Sequence, residues 1–241
     1  MTTMSSILVV PDIHLKPGLL ERVQFILQQD HHIDEVVFLG DYVDDWYKSD
    51  HTELIKETFY QLEELKKQVP CTFLLGNHDI PYLTQDFAHY SATDPANRSL
   101  IKDRLLALEP HFLYKKDNVL FSHAGVLSKA LSEHLNRPVN VTNKEDIDLL
   151  KRLYHDSLSP YWIRPDDFYV EQFRTDEDVL RMFQVVGHTP VPSIKNTGQL
   201  VLTDTWSTTS REREIGDHSL MIINTETTAF NIIYSNTALN E

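Results

Sequence analysis

Five times along this sequence a short apolar run stops abruptly in a cluster of aspartate, asparagine or histidine. The runs cover residues 7–10, 36–39, 72–75, 119–121 and 183–186. Each is strand-length and rich in Val, Ile, Leu or Phe, as expected of strands buried on both faces. Their endings read Pro11-Asp12-Ile13-His14, Gly40-Asp41-Tyr42-Val43-Asp44, Gly76-Asn77-His78-Asp79, Ser122-His123-Ala124-Gly125 and Gly187-His188-Thr189. Between the first runs lie helical spacings: Leu20, Val23, Ile26 and Leu27 share one face in residues 19–29, and Leu54, Phe59, Leu62 and Leu65 do so in residues 53–68. This alternation reads as βαβ units and hence as an α/β fold. In such folds ligands sit beyond the carboxyl ends of the strands, where these clusters fall.

Residues 80–110 are less regular and predict helices and loops that cover the site, and residues 128–159 read as helical and charged. After Pro192 three runs, 200–203, 219–224 and 229–234, read as antiparallel strands, with a polar loop at 208–217. No repeat or linker divides the 241 residues, so residues 1–241 are expected to form one domain, a size α/β folds reach undivided. Four of the 7 glycines, Gly40, Gly76, Gly125 and Gly187, lie in the motif endings, where sharp turns crowd ligands together.

A formal net charge of −14 gives no general attraction for nucleic-acid backbones or anionic membranes, so neither is expected as a partner. The same charge repels a phosphate unless something reverses the field locally, and bound divalent cations do so most simply. The single cysteine, Cys71, excludes an intrachain disulfide and reads as a small buried side chain in an apolar run. The apolar run at 7–10 is too short for a signal peptide or a membrane span, and a reduced, cytoplasmic location is the expectation.

Each ending has a chemical reading and a plainer one. Asp12 and His14, two apart, point the same way on an extended segment and together grip one ion, although a polar loop shows the same pair. Asp41 places a carboxylate at a strand end, where its two oxygens can bridge cations about 3.5–4 Å apart. Helix capping is the competing role for Asp44 or Asp45. Asn77 offers a neutral carbonyl oxygen and leaves His78 free to act on substrate, against a tight turn as the alternative. His123 and His188 bring imidazoles suited to manganese, iron or zinc, though a lone strand-end histidine is usually structural. Five such endings in one chain outweigh the plainer readings taken singly.

In this order the set Asp-x-His, Gly-Asp-x-x-Asp, Gly-Asn-His-Asp, Ser-His-Ala-Gly and Gly-His-Thr resembles the calcineurin-like metallophosphoesterases. Within them it is most similar to the branch of bacterial and phage phosphoprotein phosphatases and symmetric diadenosine tetraphosphatases, and the resemblance spans residues 9–205. It implies a β-sandwich flanked by helices in αββα layers and two divalent metal ions, manganese first, with iron or zinc as alternatives. Asp12 and His14 would hold the first ion, Asp41 would bridge, and Asn77, His123 and His188 would complete the second. His78 would stabilise or protonate the leaving oxygen, with Asp44 orienting it. Water activated between the cations would be the nucleophile, so no Ser or Cys is required. Pro190 stands where other branches carry a further histidine, which favours the phosphatase branch.

Two arginines of the family pattern are missing, replaced here by Asp45 and Leu75. Tyr161-Trp162-Ile163-Arg164-Pro165 resembles the family's Trp-x-Arg segment, which implies phosphate binding by Arg164; an ordinary surface arginine beside Asp166 is the alternative. Arg211 and Arg213 alternate with Glu212 and Glu214, as in a solvated turn. An anion at position 45 is expected to repel phosphate, which predicts weak activity on phosphoserine peptides and a gain from Asp45→Arg. The expected activity is phosphomonoester hydrolysis on a phosphorylated protein or small molecule. A dinucleoside polyphosphate hydrolase and a catalytically weak binding scaffold are the alternatives.

Overall fold

The computed structural model describes residues 6–29, 32–46, 51–87, 94–127, 129–171 and 182–235. β1 (Ser6–Val10), α1 (Pro17–Gln28), β2 (Glu35–Phe38), α2 (Thr52–Gln68) and β3 (Cys71–Phe73) form consecutive βαβ units, with β1 parallel to β2 and β2 parallel to β3. Pro17 at the first turn of α1 pre-sets its start, and Leu19, Leu20, Val23 and Ile26 form its buried face. Alternate residues of each strand serve two cores. Leu8, Val10, Val36 and Phe38 pack beneath the helices, whereas Ile7, Val9, Val37 and Leu39 meet Val119, Phe121, Val185 and Val201 of a second sheet. Burial on both faces explains why the runs show no polar alternation.

The second sheet has the order β4 (Tyr114–Lys116), β5 (Val119–Ser122), β6 (Phe183–Val186), β8 (Leu200–Leu202), β7 (Lys195–Asn196). Its outer face, with Val186, Leu200 and Leu202, is covered by Ile163 and by Phe168 of α6 (Pro165–Glu171). Two five-stranded sheets thus lie between helices, the αββα arrangement.

The late strands correct one expectation. Of the three expected strands, β9 (Leu220–Asn224) and β10 (Phe230–Ile233) pair antiparallel with each other and extend the first sheet, where β9 runs antiparallel to β1. β8 runs parallel to β6, and its antiparallel neighbour is the exposed two-residue β7. An apolar run carries no direction; the open edge of β6 selects it. Residues 80–110 hold α3 (Ile80–Thr84) and α4 (Arg98–Ala107). Residues 129–159 are less helical than expected, with a 3₁₀ helix (Lys129–His134) and α5 (Lys144–Tyr154), which the Asn143 side chain caps by accepting from the Glu145 N–H. No described helix is long and apolar enough to cross a membrane.

Candidate metal centre

The parallel strands β1, β2 and β3 and their counterparts β5, β6 and β8 end in loops that meet at one place. After β1 the chain turns through His14 and Leu15, both left-handed at φ 45° and 55°. The turn is pinned by Ile13 and His14 N–H groups donating to the Asp41 carbonyl (3.0 and 2.8 Å) and by Leu15 N–H donating to Tyr42 (3.1 Å). Asp41, Asp44 and His188 share the left-handed conformation, at φ 53°, 60° and 58°. Each such residue costs on the order of 1–3 kcal/mol, and His14, Asp41 and His188 belong to the candidate ligand groups.

His123 is fully buried, and its Nδ1 lies 2.9 Å from the Leu39 carbonyl, to which it donates. Its Nε2 therefore carries a lone pair. That lone pair faces Asn77 Oδ1 at 2.8 Å, His188 Nδ1 at 3.1 Å and Asp41 Oδ2 at 3.4 Å. Turning the Asn77 amide over supplies one donor to a set that still holds a carboxylate and a second imidazole. A cation satisfies them all. His14 repeats the logic: Nδ1 sits 2.7 Å from the Asp44 carbonyl, leaving Nε2 to face Asp12 Oδ2 at 3.9 Å and Asp41 Oδ2 at 3.7 Å. Backbone carbonyls thus fix both tautomers, as in metal-binding histidines generally. Ligand atoms within 4.8 Å of one another form two groups, His14, Asp41 and His78, and Asp41, His123 and His188. Asp41 belongs to both.

Electrostatics point the same way. Burial pushes the Asp12 and Asp41 carboxyls well above the usual range, helped by Asp204 near Asp12 and by Asp12 near Asp41. Burial lowers His14 and His123 to about 3 and holds His188 well below its ordinary value. Acids short of counter-charge beside neutral imidazoles are what a divalent cation requires. Asp12 Oδ2, 3.9 Å from His14 Nε2, sets a further carboxylate beside the group of His14, Asp41 and His78.

The carboxylates also join the loops. Asp12 accepts from the His188 N–H at 2.9 Å and Asp41 Oδ1 from the His78 N–H at 2.8 Å. A Cβ at Gly187 would collide with the Asp12 carboxylate, and one at Gly76 with that of Asp41, so glycine is required at both. Asp79, quoted in its motif but given no role, accepts from the N–H groups of Asp41 and Gly76 at 2.8 Å and of Tyr42 at 3.1 Å. It ties the second and third loops together.

His78 Nδ1 stands 3.7 Å from Asp44 Oδ2, and Tyr82 donates its hydroxyl to Asp44 Oδ1 at 2.5 Å. Burial raises Asp44 to about 7 and lowers His78 to about 3, so each is pushed towards its neutral form. Neither Asp44 nor Asp45 caps α2, whose first residue is Thr52. Arg164 donates to the His188 carbonyl at 2.8 Å and Thr189 Oγ1 at 3.2 Å, which fastens it to the loop that carries His188. It lines a cavity of about 290 Å³ together with Trp46, Trp162 and Pro190. Arg211 and Arg213 are exposed in a turn. Cys71 is half-buried rather than buried; its thiol, pushed up to about 12 mainly by burial, donates to the Val69 carbonyl at 3.3 Å. Leu75, in place of the second arginine, is buried in the core.

Two cavity neighbours escaped the sequence reading. Asp204 is fully buried and accepts from Ser207 Oγ at 2.7 Å. Its signal was present, since Leu200-Val201-Leu202-Thr203-Asp204 is one more apolar run ending in a carboxylate. Lys16 lines the cavity, and the spacing Asp12-x-His14-x-Lys16 pointed to it.

Residues 5–215 match the calcineurin-like phosphoesterase family. The chain belongs to that family, whose members are metal-dependent hydrolases of phosphate esters. No curated protein matches the sequence. Solved structures of similar fold include a point mutant of a cold-active protein tyrosine phosphatase, at 17% identity and TM-score 0.60, covering 95% of this chain and 80% of that one. A protein serine/threonine phosphatase from Saccharomyces cerevisiae follows at 12% identity and TM-score 0.56, covering 99% and 82%. A metallophosphoesterase from Sphaerobacter thermophilus shares 14% identity at TM-score 0.51, covering 96% and 88%. At these identities the likeness is one of fold.

Proposed function

We propose that the protein hydrolyses phosphate monoesters, of a phosphorylated protein or a small molecule, using two divalent cations with manganese first among them. Asp12, His14 and Asp41 would hold one ion, and Asp41, Asn77, His123 and His188 the other. The observation that carries this reading is the convergence of Asn77 Oδ1, His188 Nδ1 and Asp41 Oδ2 on the bare Nε2 of His123. Cations bound there offset the charge of the phosphate and lower the pKa of water enough to supply a nucleophile near neutrality.

The remaining steps belong to the chain. Arg164, anchored at the His188 loop, presents its guanidinium to the phosphate. His78 turns its Nε2 edge to the departing oxygen while Nδ1 faces Asp44. As negative charge develops on that oxygen, His78 stabilises it from Nε2 while Asp44 orients the ring, a role worth about 10²–10⁴ in rate. Tyr82 keeps Asp44 in place.

A dinucleoside polyphosphate is the second substrate reading. It is favoured by Trp46, 48% exposed on the cavity wall, a flat surface on which a nucleobase stacks. Hydrolysis of p-nitrophenyl phosphate, its bis-ester and diadenosine tetraphosphate with Mn2+ tests both. Metal-dependent turnover of the monoester is expected. A metal-loaded protein that turns over none of the three would leave only the binding-scaffold reading.

A further inference from the structure

Asp45 does not face the cavity as a lone anion. It is 6% exposed, and its Oδ1 accepts from the Trp46 N–H at 2.8 Å and from Thr208 Oγ1 at 3.3 Å. Its Oδ2 faces Lys16 Nζ at 3.8 Å, with the two side chains 5% and 15% exposed. The Trp46 indole N–H donates to the Thr208 carbonyl at 2.8 Å, closing a small network around the carboxylate. Asp45 therefore fastens the loop after β8 to the loop after β2 and directs an ammonium. The consecutive left-handed residues His14 and Leu15 swing the chain so that Lys16 returns to the cavity shared by Asp12 and His14.

Lys16 and Arg164 are the cationic side chains among the described residues that line this cavity. Lys16 sits centrally: its charge is felt at Asp12, His14, His78 and Asp204. A divalent cation held by Asp12 would take over the neutralisation that Lys16 gives that carboxylate here, while Asp45 keeps the ammonium at the cavity. A lysine is a compact point charge with three donors, suited to a phosphate oxygen without the fixed fork of an arginine.

From this geometry we infer that Lys16 binds the substrate phosphate and that Asp45 is its positioning residue, an inference that rests on the phosphoesterase reading. The cation absent from position 45 is supplied from the loop after β1, and the anion at 45 is what aims it. The expected gain from Asp45→Arg is thereby reversed. An arginine there meets Lys16 charge to charge in a buried position and forfeits the bonds from Trp46 and Thr208.

The test uses the full chain loaded with Mn2+, metal content measured by plasma mass spectrometry, and inorganic phosphate titrated by calorimetry. Lys16→Met should keep its metal and bind phosphate about ten- to a hundredfold more weakly, while Lys16→Arg recovers most of the loss. Asp45→Asn should lose less, about fivefold, appearing as a raised KM for p-nitrophenyl phosphate with kcat retained. Wild-type phosphate affinity in metal-replete Lys16→Met overturns the proposal and confines Lys16 to neutralising carboxylates. Should Lys16→Met shed metal, Asp45→Asn decides, because full metal content with unchanged phosphate affinity there overturns it equally. Failure of the phosphoesterase reading is distinguishable: the wild-type, metal-loaded protein would then neither hydrolyse an ester nor bind phosphate.

Discussion

Loops after β1, β2 and β3 of the first sheet bring Asp12, His14, Asp41, Asn77 and His78 to the cavity, whereas the loop after β6 of the second brings His188 and the end of β5 places His123 buried behind it. The first sheet supplies the charge, with buried carboxylates and four left-handed residues, His14, Leu15, Asp41 and Asp44. The second supplies neutral imidazoles on comparatively relaxed loops, His188 alone being left-handed among its ligands. Hydrogen bonds cross the gap from the second set to the first, from the His123 ring to Leu39 and from the His188 N–H to Asp12. The group of Asp41, His123 and His188 draws on both sheets, so an ion held there would need the two packed together. Metal affinity and the packing of the sheets against each other are therefore one free energy.

The comparison breaks first at Asp41, the one ligand common to both groups. Asp41→Asn should strip the metal and reduce phosphoester turnover by on the order of a thousandfold or more. Retained metal and turnover would show that the sheets bind their ions independently. His78→Asn should keep its metal and lose about 10²–10⁴ in kcat, most with poor leaving groups. Equal kcat on esters of poor leaving groups would remove His78 from the chemistry. Chelation should lower the melting temperature. At metal about a hundredfold above Kd each bound ion contributes about 2.7 kcal/mol, roughly 5–10 °C per ion for a chain of this length. A melting curve that ignores verified metal loss would separate folding from the site.

A smaller effect sharpens the electrostatic half of the comparison. Asp44 is raised from 3.8 to about 7, mainly by burial, so the fold favours its protonated form. That contribution is present below the unfolded value and is lost as pH rises through about 7. In metal-free protein Asp44→Asn should therefore gain on the wild type as pH rises across this window, by at most about 4 kcal/mol. Denaturant titrations in chelator at several pH values read this directly; a constant difference would mean Asp44 is not protonated in the fold.

The strand ends were legible in the sequence because doubly buried strands must be apolar throughout, and their polar stops stand out against that background. The crossing of β9 and β10 to the first sheet was not, nor was the direction of β8, since pairing partners are chosen by distant edges rather than by local pattern. β7 has two exposed residues, Lys195 and Asn196, and no alternation to read. At the site, the meeting of His14, Asp41, His123 and His188 was legible in the motif endings, whereas the closeness of His78 to His14 and Asp41 was not. Nor was the partnership of Asp45 with Lys16: position 45 taken alone shows only a lost cation, and its replacement lies twenty-nine positions earlier on another loop.

Metal stoichiometry of the purified chain, dialysed against Mn2+ and then against metal-free buffer, tests the central claim most directly. Retention of two ions per chain, matching the two ligand groups that share Asp41, is the predicted result, with occupancy lost in Asp41→Asn. A wild-type chain that retains no metal, and takes up none when Mn2+ is in excess, would contradict it.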